Sequence, residues 1–216
     1  MRAFLLAGGR SRRMGRDKAG LELAGQPLVT HMLAKLNGLG LEAAICGNRP
    51  DLAELAPVLP DPKLRDDASP GPLAGILAAL EASGTALNLF LAVDMPGMPA
   101  VFLRWMMERT ELTRSPATIP LVAGRAQPLC GIYHREIALG IRRALESGEH
   151  RVFPVLMGAA GCADVFDVES IVSAGALDTN PAGLPHEWFQ NLNTPREFAL
   201  YAARHPSNRV VEENAE

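Results

Sequence analysis

The sequence predicts an α/β fold: a single-domain, three-layer αβα arrangement in which helices cover both faces of a mostly parallel, mixed sheet. Three observations carry this expectation. Short apolar runs of strand length alternate with stretches of helical period through the first half of the chain. The resulting βαβαβ order requires crossover connections, and crossovers cover the faces of the sheet they join. Finally, 216 residues, 48% of them apolar, are enough to bury one sizeable core without demanding two.

Residues 3–7 form the first apolar run and are read as a strand. A helix follows over 27–36, with Leu28, Met32, Leu33 and Leu36 marking its buried face. Residues 41–46 are the second strand, 72–82 the second helix, and 87–93 a third strand ending at Asp94. The second half is less regular, with strands expected at 117–122, 129–133 and 163–168 and a helix at 137–146. Residues 173–186, rich in Gly, Pro and Ala, read as a surface loop or insertion. A last helix, 195–204, opens with Thr194 as N-cap, Pro195 at the first helical position and Glu197 completing a capping box. The domain is expected to span residues 1–205, and the polar, acidic residues 206–216 to fray.

The formal net charge of −3 gives no overall basic field, which removes global support for binding a nucleic-acid backbone or an anionic membrane. Cys46, Cys130 and Cys162 are odd in number and widely separated, matching neither a disulfide framework nor a CxxC zinc pattern, so a reduced, cytoplasmic compartment is expected. No run of about 18 apolar residues occurs. His31, His134, His150, His186 and His205 show no metal-ligand spacing, and Trp105 and Trp188 are read as packing residues.

The most informative stretch is LLAGGRSRRMGRDK, residues 5–18, directly after the first strand. Gly8 and Gly9 let the backbone turn sharply and pass close to a ligand, where a Cβ would collide. Arg10, Arg12, Arg13, Arg16 and Lys18 crowd into nine residues with Asp17 as the single acid, a local anion site in a negatively charged chain. Guanidinium forks suit phosphate oxygens, and Lys18 supplies a mobile point charge. A Walker A loop fails on spacing, because Arg16 and Asp17 separate Gly15 from Lys18, and no GxGxxG begins at Gly8 or Gly9.

LAGGRSRRMGRDK followed by LELAGQPL resembles the signature of the molybdenum cofactor guanylyltransferase family, within the larger group of Rossmann-like nucleotidyltransferases similar to glycosyltransferase-A folds. SPGPLAGI at 69–76, LAVDMPGMP at 91–99, QPLCGIY at 127–133 and NLNTPREF at 191–198 follow in the family's order. The resemblance implies that Leu6, Ala7, Gly8 and Gly9 cradle the nucleotide, that Lys18 contacts its phosphates, and that Asp61 lies near base and ribose. It also implies that Asp94 binds magnesium and that Asn191 and Asn193 face the pterin substrate. Two departures stand out. Relatives often carry Asn where this chain has Cys46, which shifts the expected nucleotide contact to Asn48, and residues 158–186 form a longer stretch than the family leads one to expect.

The chemistry that follows needs little general-base help, since a phosphate monoester has its second pKa near 6 and is largely ionised at neutral pH. Arg13, Lys18 and Mg²⁺ on Asp94 are therefore assigned to align the molybdopterin phosphate with the α-phosphorus of GTP and to stabilise departing pyrophosphate. Three readings stay open: GMP transfer from GTP to molybdopterin; transfer of CMP or another nucleotide, to molybdopterin or to another phosphorylated acceptor; and a catalytically silent nucleotide-binding regulator. Gly8 leans to GTP, because family members using CTP tend to carry Ala there, and the presence of Asp94 speaks against the regulator. Molybdoenzymes or their chaperones are the expected recipients of the product.

Overall fold

The computed structural model describes residues 1–8, 19–23, 25–62, 71–177 and 183–204. The sequence-predicted site residues Gly9, Arg13 and Lys18, the rest of the arginine-rich loop and the C-terminal tail lie outside the described residues. In chain order the strands are β1 (Arg2–Leu6), β2 (Glu22–Leu23), β3 (Gln26–Pro27), β4 (Ala43–Cys46), β5 (Val58–Leu59), β6 (Leu87–Ala92), β7 (Ala117–Val122), β8 (Arg125–Ala126), β9 (Cys130–His134) and β10 (Asp164–Asp167). The α-helices are α1 (Leu28–Asn37), α2 (Pro72–Ala82), α3 (Ala100–Thr113), α4 (Ala138–Glu146), α5 (Val152–Ala160), α6 (Val168–Ser173), α7 (Pro185–Trp188) and α8 (Pro195–Arg204).

One sheet runs through the protein in the order β10-β7-β9-β6-β1-β4-β5, with β8 folded back on β7. β1 pairs in parallel with β4 and β6, and β4 with β5, whereas β9 runs antiparallel to both β6 and β7. The mostly parallel mixed sheet expected from the sequence is thus present. Along β1 the side chains alternate, Ala3 and Leu5 entering one core and Phe4 and Leu6 the other. Each fully buried Leu or Phe in these layers contributes about 1.5–3 kcal/mol.

The two cores are covered by different helices. Leu28, Met32 and Leu36 of α1 and Phe102, Leu103 and Met106 of α3 pack on the Leu5 face. Leu73, Ile76, Leu77 and Leu80 of α2, with Ile141 and Leu145 of α4 and Val155 and Leu156 of α5, cover the Phe4 face. α1 connects β1 to β4 on one face; α2 then carries the chain back across the other face from β5 to β6. Strand connections therefore diverge around β1, the kind of switch point that opens a crevice beyond the carboxyl ends of the strands.

Most expected elements are present within a residue or two of their expected bounds. The stretch 173–186 is corrected at its ends: Val168–Ser173 closes as a helix that includes Ser173, and Pro185–Trp188 forms α7, with Pro185 at its first position. Trp188 is buried, packing against Phe102, and Trp105 packs between Phe102 and Phe166, so both tryptophans serve the core.

Candidate functional site

Leu6 faces Cys46 on one side and Ala92 on the other across the three parallel strands. Beyond this level the hydrogen bonding continues for one residue: Ala7 N–H donates to the Cys46 carbonyl at 3.1 Å, and Val93 N–H to the Leu6 carbonyl at 3.1 Å. Ala7–Gly8, Gly47–Asn48 and Val93–Asp94 consequently leave the sheet side by side. One strand further out, Gly47 N–H donates to the Leu59 carbonyl at 2.9 Å, which brings Asp61 alongside. Asn48 fixes it there, its Oδ1 accepting from the Asp61 N–H at 3.2 Å.

The floor of this crevice depends on missing side chains. Gly47 has φ +128, and a Cβ on it would lie 2.7 Å from the Gly8 Cα. Gly75, in α2, sits so close to the strand ends that a Cβ there would meet the Cys46 Cβ at 3.3 Å, Leu6 at 3.4 Å and the Asp61 Oδ1 at 3.8 Å. Cys46 is buried in the core beneath α2, while Asn48 is exposed. Burial pushes the pKa of the Cys46 thiol far up, and the nearby Asp61 carboxylate adds to the rise. Burial also raises the pKa of the half-exposed Asp61.

Asp94, half-buried at the end of β6, is joined through its backbone to the 191–193 segment, since Leu192 N–H donates to the Asp94 carbonyl at 2.9 Å. Leu192 is buried between the half-buried Asn191 and the exposed Asn193, the alternation expected of an extended segment. The capping box is also formed: Glu197 N–H donates to Thr194 Oγ1 at 3.2 Å, and Glu197 Oε2 accepts from Asn193 N–H at 2.8 Å and Thr194 N–H at 2.9 Å. Leu6, Ala7, Gly8, Asn48, Asp61, Asp94 and Asn191 to Asn193 are therefore assembled around one end of the sheet.

Three contributors escape sequence reasoning. Gly47 forms the floor with Gly8, and its only signal is a glycine closing an apolar run. Gly97 lets the loop after β6 meet α7, because a Cβ there would lie 2.8 Å from the Glu187 carbonyl oxygen. Lys35 of α1 donates to the carbonyls of Pro96 at 2.7 Å and Met98 at 2.6 Å, and burial lowers its pKa to about 8. A lysine seven residues after Leu28, on an otherwise apolar helix stripe, was the available signal.

Among the described residues no group of three or more His, Cys, Asp or Glu side chains is placed to hold a metal. That excludes a closed structural site of the zinc type from the described residues. A single strand-end carboxylate instead suits Mg²⁺, which takes one or two protein carboxylates and completes its octahedron with water and phosphate oxygens. No described helix is long and apolar enough to cross a membrane.

Comparison with known proteins agrees with this fold. A family model described as a MobA-like NTP transferase domain matches residues 3–159. The chain is 35% identical over 207 residues to the molybdenum cofactor guanylyltransferase of Cereibacter sphaeroides, covering 92% of this chain and 95% of that one. It is 28% identical over 207 residues to the protein of the same name from Syntrophotalea carbinolica, covering 94% and 91%. In structure it is similar to molybdopterin-guanine dinucleotide biosynthesis protein A from Archaeoglobus fulgidus, with a TM-score of 0.76, 24% identity and coverage of 95% and 99%. The 2-C-methyl-D-erythritol 4-phosphate cytidylyltransferase of Thermus thermophilus shares the fold at a TM-score of 0.63 and 16% identity, covering 94% and 98%. With a family model matching residues 3–159 and relatives matched over nearly their whole length, the chain belongs to the MobA-like NTP transferase domains and to the molybdenum cofactor guanylyltransferases.

Proposed function

We propose that this protein transfers GMP from GTP to the phosphate of molybdopterin in a magnesium-dependent reaction. The molybdopterin phosphate oxygen attacks the α-phosphorus of GTP, a new pyrophosphate linkage forms, the α–β bond breaks, and pyrophosphate leaves. The observation that carries the reading is the convergence of Gly8, Asn48 and Asp94 at the ends of three adjacent parallel strands, with the Asn191–Asn193 segment hydrogen-bonded to Asp94 from the far side.

In this reading Leu6, Ala7, Gly8 and Gly9 pass close beneath the nucleotide, and Asn48 and Asp61 border its base and ribose. Gly8 and Gly47 are packed backbone to backbone, which leaves the crevice floor flat enough for close approach. Arg13 and Lys18 supply positive charge to the triphosphate. Asp94 would hold Mg²⁺, which when bound neutralises and orients phosphate oxygens. Asn191 and Asn193 orient the pterin, so donor and acceptor meet across Asp94 and pay their alignment entropy on binding. No side chain is assigned as general base, because the attacking phosphate is already ionised.

The buried, free Cys46 and Cys130 and the exposed, free Cys162 fit a reducing, cytoplasmic setting. The product's recipient in this reading is a molybdoenzyme or its chaperone.

The test is pyrophosphate release from GTP and from CTP, each with and without molybdopterin and Mg²⁺. Release from GTP that requires both the pterin and the metal is expected. Preference for CTP would replace guanylyl by cytidylyl transfer, and tight GTP binding without turnover would make the protein a regulator.

A further inference from the structure

The loop that leaves β6 is held from opposite directions. Its own turn hydrogen bonds are long: Met95 N–H to the Ala92 carbonyl and Met98 N–H to the Met95 carbonyl, both at 3.3 Å. The bonds from Lys35 to the Pro96 and Met98 carbonyls are much shorter, at 2.7 and 2.6 Å, and come from an ammonium group. Charge-assisted bonds of this kind are roughly twice as strong as neutral ones. On the other side the loop meets Leu192, through the Asp94 carbonyl, and α7, through Gly97.

An apolar residue would be the ordinary choice for position 35. Leu28, Met32 and Leu36 share its stripe on α1 and are fully buried, and immobilising a long lysine chain costs rotamer entropy. What lysine adds is a donor group long enough to reach carbonyls 61 and 63 residues away in sequence. Those two carbonyls flank Gly97, at the bend of the loop that carries Asp94.

We propose that Lys35 is a positioning residue: by gripping the Pro96 and Met98 carbonyls it holds the 94–98 loop so that the Asp94 carboxylate and the Asn191–Asn193 segment keep their working alignment. Lys35 touches neither substrate. Its effect reaches the reaction through the backbone of the loop, and it rests on the reading of Asp94 as the carboxylate for Mg²⁺.

Three variants test it. Lys35→Met removes the donor and keeps the shape; Lys35→Arg keeps a cation; Leu33→Ala weakens the same helix from a buried position that makes no hydrogen bond to the loop. Two readouts are needed: backbone amide exchange at Met98 and Leu192, and the Mg²⁺ concentration giving half-maximal pyrophosphate release from GTP in the presence of molybdopterin. Lys35→Met is expected to lose protection at both amides by about tenfold, the scale of one net hydrogen bond, and to need about tenfold more Mg²⁺. Lys35→Arg should recover part of both, and Leu33→Ala should lower Tm as much or more with wild-type Mg²⁺ dependence. If Lys35→Met and Leu33→Ala shift both readouts in proportion to their loss of Tm, Lys35 is merely structural. If wild-type protein releases no pyrophosphate from GTP with molybdopterin and Mg²⁺ present, the reading of the activity fails, and the amide exchange still decides whether Lys35 holds the loop.

Discussion

A methyl group added at Gly47 would strike the Gly8 backbone at the centre of the site. Gly47→Ala combines that clash with a side chain at φ +128, a conformation costing about 1–3 kcal/mol. It is expected to lower stability by at least that amount in urea unfolding and to weaken GTP binding by calorimetry. Asp94→Asn keeps shape and removes charge, so it should leave the fold intact by circular dichroism and lower kcat by roughly 10², the scale of losing one focused electrostatic contact. Lys35 gives a pH signature. Its native pKa is about 8 against 10.5 for the free side chain, so between those values the unfolded chain binds more protons than the native one. Stability from this group must therefore rise with pH from about 8 to 10.5, and the urea-unfolding difference between wild type and Lys35→Met should grow in favour of wild type over that window. Asp94 and the paired asparagines were legible because a strand end and a two-residue alternation are local patterns. Gly47, Gly97 and Lys35 were not, since each answers to backbone brought close only by tertiary packing.

α1, α2 and α4 were read from their apolar runs although no side chain caps them, and α8 from its boundary as well. α8 has its full capping box, and Thr194→Ala is expected to cost about 1 kcal/mol in thermal unfolding without changing GTP affinity. α3 has no such signals: Pro99 precedes it without a capping side chain, and it ends on Arg114 in the left-handed region, φ 51, where glycine would have been the visible stop. α5 likewise starts after Arg151 with no side-chain cap and carries Pro154 in its first turn. β5 and β8, two residues each, are too short for any periodic pattern. The β7–β8 hairpin turns through Ala123 and Gly124 at φ 48 and 70, values that suit two-residue hairpins, and Glu169 of α6 accepts from the Ala123 N–H at 2.9 Å. That last contact crosses 46 residues and leaves no trace in local sequence.

Across the whole molecule, alternating apolar runs announced the layers but left the strand order open. The reversal of β9 between β6 and β7 arises from how the chain returns, and its sequence would serve a parallel strand equally well. The consequence for function lies in the opposite half: β5, β4, β1 and β6 are all parallel, so their carboxyl ends share one edge and bring Asp61, Asn48, Gly8 and Asp94 into line. A structure of the protein with GTP and Mg²⁺ tests this arrangement most directly. The expected result places the triphosphate over Gly8 with Asp94 at the metal and the guanine toward Asp61; a nucleotide bound away from these four strand ends would contradict it.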